Sequence, residues 1–150
     1  MQRLPHHYTV TALAHAEGET RLESSGLPPL VSAPPAEFGG PGDRWSPETF
    51  CVGAVADCFV LTFRAIARAS QLTWSSLRCE VEGTLDRVDQ VTQFTSFLVR
   101  ATLQVAPGTD EARARQLLDR TEQTCLITQS LKGSSHLEAT VQFPATEAGA

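Results

Sequence analysis

Four cysteines stand at positions 51, 58, 79 and 125 of a 150-residue chain, and the thiol is a side chain that can serve as nucleophile, metal ligand or redox centre. None is paired in CxxC spacing. The histidines at 6, 7, 15 and 136 form no HxxxH pair, so no metal site is expected. Four cysteines in a chain of this length are also too sparse for a secreted disulfide scaffold. Thiol redox chemistry is what remains. Cys51 precedes Cys58 by seven residues, about 10 Å along a helix axis, too far for a disulfide on one regular helix. Cys51 and Cys79 read as small buried hydrophobes.

The elements that must hold these thiols follow from periodicity and punctuation. Ser46-Pro47-Glu48 is a helix start: Ser46 caps, Pro47 suits the first helical position, and Glu48 complements the helix dipole. The helix should run to about Ser70 and carries Cys58 in its middle. It is apolar on nearly all sides through Phe63, so it must be covered all round by other elements or by a second subunit. Its apolar run, Phe50 to Phe63, is shorter than the roughly 20 residues of a membrane span, and a core helix is expected. A second helix opens after Pro107-Gly108-Thr109-Asp110. Ala114, Leu117, Leu118, Thr121 and Cys125 form its inward stripe.

Strands are read from alternation. Tyr8, Val10, Ala12 and Ala14 suggest a first strand, with a partner around Arg21 to Ser24. Two one-side-buried strands follow the long helix, at Leu77 to Leu85 and Phe97 to Val105, joined across Asp86 to Gln90. A final strand spans Leu137 to Phe143. Residues 22 to 47, rich in proline and glycine, read as short extended pieces in a long loop. The order β-loop-α-ββ-α-β with locally paired antiparallel strands argues for an α+β fold. One domain over 1–150 is expected, with an ordered core at 8–143 and a frayed tail at 144–150.

The composition is 41% hydrophobic and 19% charged, with net charge -5 and pI near 5.3, and no run of Lys and Arg. Disorder is excluded, and a general nucleic-acid or anionic-membrane role is disfavoured. The N-terminal residues show no basic region followed by an apolar one, so a cytoplasmic protein is expected.

Three blocks of this chain resemble the OsmC/Ohr family of thiol-dependent peroxidases, over about residues 8 to 143. Ser46-Pro47-Glu48-Thr49-Phe50, leading through Ala54 and Ala56 into Cys58-Phe59, is similar to that family's start of the central helix. Cys125-Leu126-Ile127-Thr128-Gln129-Ser130-Leu131 resembles its second-cysteine segment. Phe38-Gly39-Gly40-Pro41-Gly42 looks like its glycine-rich turn.

The resemblance implies an OsmC-like fold, an intertwined homodimer with active sites at the interface, and reduction of organic hydroperoxides in oxidative-stress defence. Cys58 would attack the peroxide and Cys125 would resolve the product to a disulfide. An ordinary thiol is only about 3% thiolate at pH 7, and apolar burial lowers that further, so a cation is required. The resemblance assigns it to an N-terminal arginine oriented by a glutamate that matches Glu48. Arg21 and Arg44 are both candidates. Glu48 and Cys58 are ten residues apart, about 15 Å on one helix, so they would meet across a two-fold axis. Asp57 departs from the small residue usual before the cysteine, and a carboxylate close to Cys58 would raise its pKa.

Trp45, Phe50 and Phe59 read first as packing residues and second as an apolar lining for an organic peroxide. No cofactor is expected beyond an external dithiol reductant, for which the resemblance suggests a lipoyl group. The alternative is a protein of the same fold that binds a small apolar ligand or senses redox state with little turnover.

Overall fold

The computed structural model describes residues 1–145 of the chain, and the last part of the expected tail lies outside the described residues. It is α+β, with two three-stranded sheets and two main helices. The chain divides into two compact units, Met1–Cys51 and the residues from Val52 onward.

The first unit holds β1 (Thr11–Leu13), β2 (Thr20–Glu23) and β3 (Leu30–Ser32) in an antiparallel sheet of that order. The expected first strand is shorter than its alternation suggested, and its partner is at the expected place. A 3-10 turn at Ala36–Phe38 follows. Gly40 has to be glycine: a Cβ there would sit 1.7 Å from the carbonyl oxygen of Pro34. The long helix α1 (Pro47–Ala69) starts in this unit. Its start is a reciprocal cap, with Thr49 N–H donating to Ser46 Oγ at 3.1 Å and Ser46 N–H donating to Thr49 Oγ1 at 2.7 Å.

In the second unit α1 buries one stripe, Val55, Phe59, Phe63 and Ala67, one residue per turn. Strands β4 (Trp74–Val88) and β5 (Val91–Val105) form a long antiparallel hairpin closed by Asp89 and Gln90, both at positive φ of 49° and 69°. Phe97, Val99, Ala101, Leu103 and Val105 are buried, as the alternation requires. Helix α2 (Glu111–Thr124) is capped by Asp110, whose side chain accepts from Arg113 N–H at 3.3 Å. Ala114, Leu117, Leu118 and Thr121 are its buried stripe. A short helix α3 (Leu126–Gln129) leads to β6 (Ser134–Gln142).

One pairing differs from the expected antiparallel pattern. β6 runs parallel to β5, from Ser96 opposite Ser134 to Gln104 opposite Gln142. Parallel neighbours need a long crossover, and the segment carrying α2 and α3 supplies it, with α2 lying against β6.

Among the described residues the other elements of the chain do not enclose α1: only the one stripe is buried, and Leu61 is 48% exposed. The helix is 23 residues long, longer than the apolar run inside it, and an 18-residue window of it has mean hydropathy 1.8, so length and composition alone would let it cross a membrane. Its regular buried stripe is that of a packed helix.

Candidate active site

Cys58 lies in the middle of α1, half-buried, and opens onto a groove of about 650 Å³ in the second unit. Ala54, Asp57, Leu61, Thr62 and Ala65 of α1 line one side of it; Thr124, Leu126 and Ile127 line the other. Leu126 is 63% exposed. The wall is largely aliphatic.

Cys125 is fully buried, on the inward side as its spacing required, but it does not sit inside a helix. The helical path breaks there: Cys125 has φ -63° and ψ 109°, ending α2 and capping α3. Two threonine hydroxyls turn back on the α2 carbonyls just before the break, Thr121 to Leu117 at 2.7 Å and Thr124 to Arg120 at 2.8 Å, a habit that loosens helices. Restarting the helix leaves the N–H groups of its first turn without partners within it, and those groups reach the two sulfurs.

The thiols of Cys58 and Cys125 lie near enough to act on each other's ionisation, and their environments shift them in opposite directions. Burial raises the Cys58 pKa. The Ile127 N–H, the Cys125 thiol, the Thr62 hydroxyl and the Leu126 N–H all favour its thiolate and outweigh burial, so the net shift is downward from the ordinary thiol value. Thr62 Oγ1 is 3.7 Å from the Cys58 sulfur. For Cys125 burial dominates and its proximity to Cys58 adds to it, so it is held up as a thiol although the neighbouring Thr128 acts in the lowering direction. The arrangement is one activated sulfur with a protonated sulfur near it. Asp57 is exposed, and the groups acting on the Cys58 thiol do not include it.

Cys51 and Cys79 are shifted the other way. Burial raises the Cys51 thiol, and burial followed by the charge of Cys125 pushes Cys79 up to about 11. Neither is disposed to ionise.

The other residues singled out in the sequence lie elsewhere. Phe59 is 1% exposed and packs in the core, not in the groove wall. Glu48, Phe50, Trp45, Arg21 and Arg44 all belong to the first unit. Arg21 pairs with Glu23 at 2.8 Å and Arg44 with Glu19 at 2.7 Å, both exposed. Trp45 stacks on Phe50 with ring centroids 5.7 Å apart. Phe50 and Glu48 line an apolar hollow of about 480 Å³ with Leu22, Pro34, Pro35 and Phe38. There the Oε2 atom of Glu48 is buried without a hydrogen-bond partner among the described residues, a costly state for a carboxylate oxygen.

Sequence reasoning missed the donors Thr62, Leu126, Ile127 and Thr128. Thr62 had a signal, four residues beyond Cys58 and so on the same helix face. The backbone donors had none, since they depend on the break at Cys125.

The family model described as OsmC-like protein matches residues 40–140, about two-thirds of the chain, and spans both cysteines. The chain belongs to the OsmC-like family. Among relatives, an organic hydroperoxide resistance protein of Xanthomonas axonopodis pv. citri (strain 306) is 28% identical over 138 residues, covering 89% of this chain and 94% of that protein. YmaD of Bacillus subtilis (strain 168), described as uncharacterized, is 28% identical over 120 residues, covering 78% and 79% respectively. An OsmC-like protein of unknown function from Vibrio cholerae has the same fold, with TM-score 0.81, 16% identity, and coverage of 90% of this chain and 99% of its own. The α+β expectation and the OsmC/Ohr resemblance therefore hold.

Proposed function

We propose that this OsmC-like protein reduces organic hydroperoxides with two cysteines, in the cytoplasm and as part of defence against oxidative stress. The observation that carries the reading is the proximity of Cys58, beside an aliphatic groove, to the buried Cys125, with opposite shifts on the two thiols. The hydroperoxide-resistance name of the Xanthomonas relative supports it. In the first step the Cys58 thiolate attacks the peroxide oxygen, the O–O bond breaks, and the alkoxide leaves and takes a proton to become an alcohol. Cys58 is then a sulfenic acid. In the second step the Cys125 sulfur, giving up its proton, attacks Cys58 sulfur; water leaves and the disulfide forms. An external dithiol, a lipoyl group in our reading, returns two electrons and two protons.

Two copies make the unit that works. The exposed side of α1 and the unpartnered Glu48 Oε2 both favour a homodimer in which Glu48, with Arg21 or Arg44, serves Cys58 of the other copy. Trp45 and Phe50 would wall the site from that side.

One equivalent of cumene hydroperoxide added to reduced protein should remove two hydrogens from the intact mass and join Cys58 to Cys125 in the peptide map. Cys125→Ser should stop at an oxidised Cys58, and Cys58→Ser should leave the peroxide unconsumed. Slow oxidation that is indifferent to Cys58 would overturn the peroxidase and leave an OsmC-like fold that binds a small apolar ligand.

A further inference from the structure

The resolving step requires of Cys125 a charge that its surroundings resist. Cys125 is 1% exposed, and burial, with the neighbouring Cys58 adding to it, keeps the proton on its sulfur. To attack Cys58 that sulfur must become negative in an apolar setting, where charge is costly. Among the described residues that act on the Cys125 sulfur, Thr128 alone favours the thiolate.

The break in the helical path places Thr128 for this. Cys125, at ψ 109°, caps α3, and the half-buried Thr128 lies three residues further on, where its hydroxyl donates to the Cys125 carbonyl at 2.9 Å. That carbonyl has a second donor, the Gln129 N–H at 3.2 Å. A hydroxyl holds one proton and rotates to suit its acceptor. When Cys125 loses its proton, the Thr128 hydroxyl is therefore free to turn from the carbonyl to the sulfur, while the Gln129 N–H keeps the carbonyl satisfied. The hydroxyls of Thr121, Thr124 and Ser130 donate instead to the carbonyls of Leu117, Arg120 and Leu126, so none of them is directed at Cys125.

We propose that Thr128 is a positioning residue for the resolving step, holding the Cys125 backbone at rest and turning its hydroxyl to the Cys125 sulfur as that sulfur attacks Cys58. The inference rests on the two-cysteine reading above for the existence of that step, and not on peroxide as the oxidant.

Dithiodipyridine, an uncharged aromatic disulfide whose leaving thiol absorbs light, reads the step without peroxide. The Cys58 thiolate of the reduced full-length protein attacks one reagent sulfur, the reagent S–S bond breaks, and a first thiopyridone leaves with a proton from solvent. Cys125, giving up its proton, then attacks the Cys58 sulfur of the mixed disulfide; a second thiopyridone leaves and the Cys58–Cys125 bond forms. Cys58→Ser supplies the background from the other thiols. Thr128→Val keeps the side-chain shape and removes the hydroxyl. It should leave the first release within about twofold of wild type and slow the second about fivefold at neutral pH. The deficit should close as the pH passes the Cys125 midpoint, which Thr128→Val moves upward, and Thr128→Ser should restore the wild-type profile. Ser130→Ala removes another hydroxyl bond of the same short helix and should leave both releases unchanged. A second release as fast in Thr128→Val as in wild type overturns the proposal, and so does a deficit that persists at high pH, the mark of a displaced sulfur. Wild type that gives no second release would overturn it together with the two-cysteine reading. Proteins that behave as expected here but consume no cumene hydroperoxide would sink the peroxidase and leave the role of Thr128 intact.

Discussion

At the scale of single residues, the site rests on a difference between two sulfurs, and that difference is measurable. The Cys58 pKa is below the ordinary thiol value, so its thiolate fraction, and with it the alkylation rate, should rise with pH and level off at a midpoint below the usual thiol range. Lowering the pH through that midpoint protonates Cys58 and abolishes the rate. Cys79 should stay unreactive until near pH 11. Peptide-resolved alkylation across pH separates them; coincident midpoints would contradict the site. Thr62→Val keeps the side-chain shape but removes a hydroxyl that favours the thiolate. It should move the Cys58 midpoint upward and slow alkylation at neutral pH by about threefold, the modest effect expected of one long hydrogen bond to sulfur. The two cysteines were legible because their types and spacing put both thiols on inward faces. The backbone donors were not, since an N–H is common to almost every residue and only the break at Cys125 frees those of Leu126 and Ile127.

At the scale of elements, what holds α1 in place is local and can be tested locally. Ser46→Ala removes one half of the reciprocal cap with Thr49 and should cost about 1 kcal/mol. Gly83 of β4 is pressed against α1: a Cβ there would lie 2.7 Å from Val52 Cγ2 and 3.0 Å from Phe94 Cε1. Gly83→Ala forces the helix and the hairpin apart and should cost about 1–3 kcal/mol, lowering Tm by roughly 2–4 °C for each of those kcal/mol. Thermal unfolding of both variants checks this, and a Gly83→Ala protein as stable as wild type would mean that the close approach is not maintained. Most of these elements could be read beforehand. The cap, the helix end near Ser70 and the alternation at Phe97, Val99 and Ala101 are local signals. The parallel partnership of β6 could not be read, because the alternation of Leu137, Ala139 and Val141 fixes which face is buried and says nothing of strand direction. The helix ending at Thr124 escaped too, since the apolar stripe continues in register to Cys125 across a backbone that no longer does.

At the scale of the whole molecule, the side of α1 that the chain leaves uncovered governs association. A helix with an 18-residue window of mean hydropathy 1.8, of which the described residues bury only one stripe, leaves apolar surface whose removal from water would favour association. A proposed dimer of about 32 kDa, twice the 16.2 kDa chain, should be seen by light scattering, and a fully active monomer would refute it. Mass alone does not say whether the partner completes the site. Chain mixing does. On the proposed mechanism Cys58→Ser lacks the attacking sulfur and Glu48→Gln lacks the carboxylate, so each proposed homodimer should be weak or inactive. In a mixed dimer, if Glu48 serves the other copy, one site combines the Cys58 of the Glu48→Gln chain with the Glu48 of the Cys58→Ser chain and is whole. Random refolding of an equal mixture makes about half the dimers mixed, each with one whole site of two, so peroxide turnover should recover to about a quarter of wild type. If Glu48 acts within its own chain, no combination makes a whole site, and the mixture should show only the average of its two parents. The ratio of mixed to wild-type turnover therefore decides whether the orphaned Glu48 oxygen belongs to the partner's chemistry, independently of which arginine accompanies it.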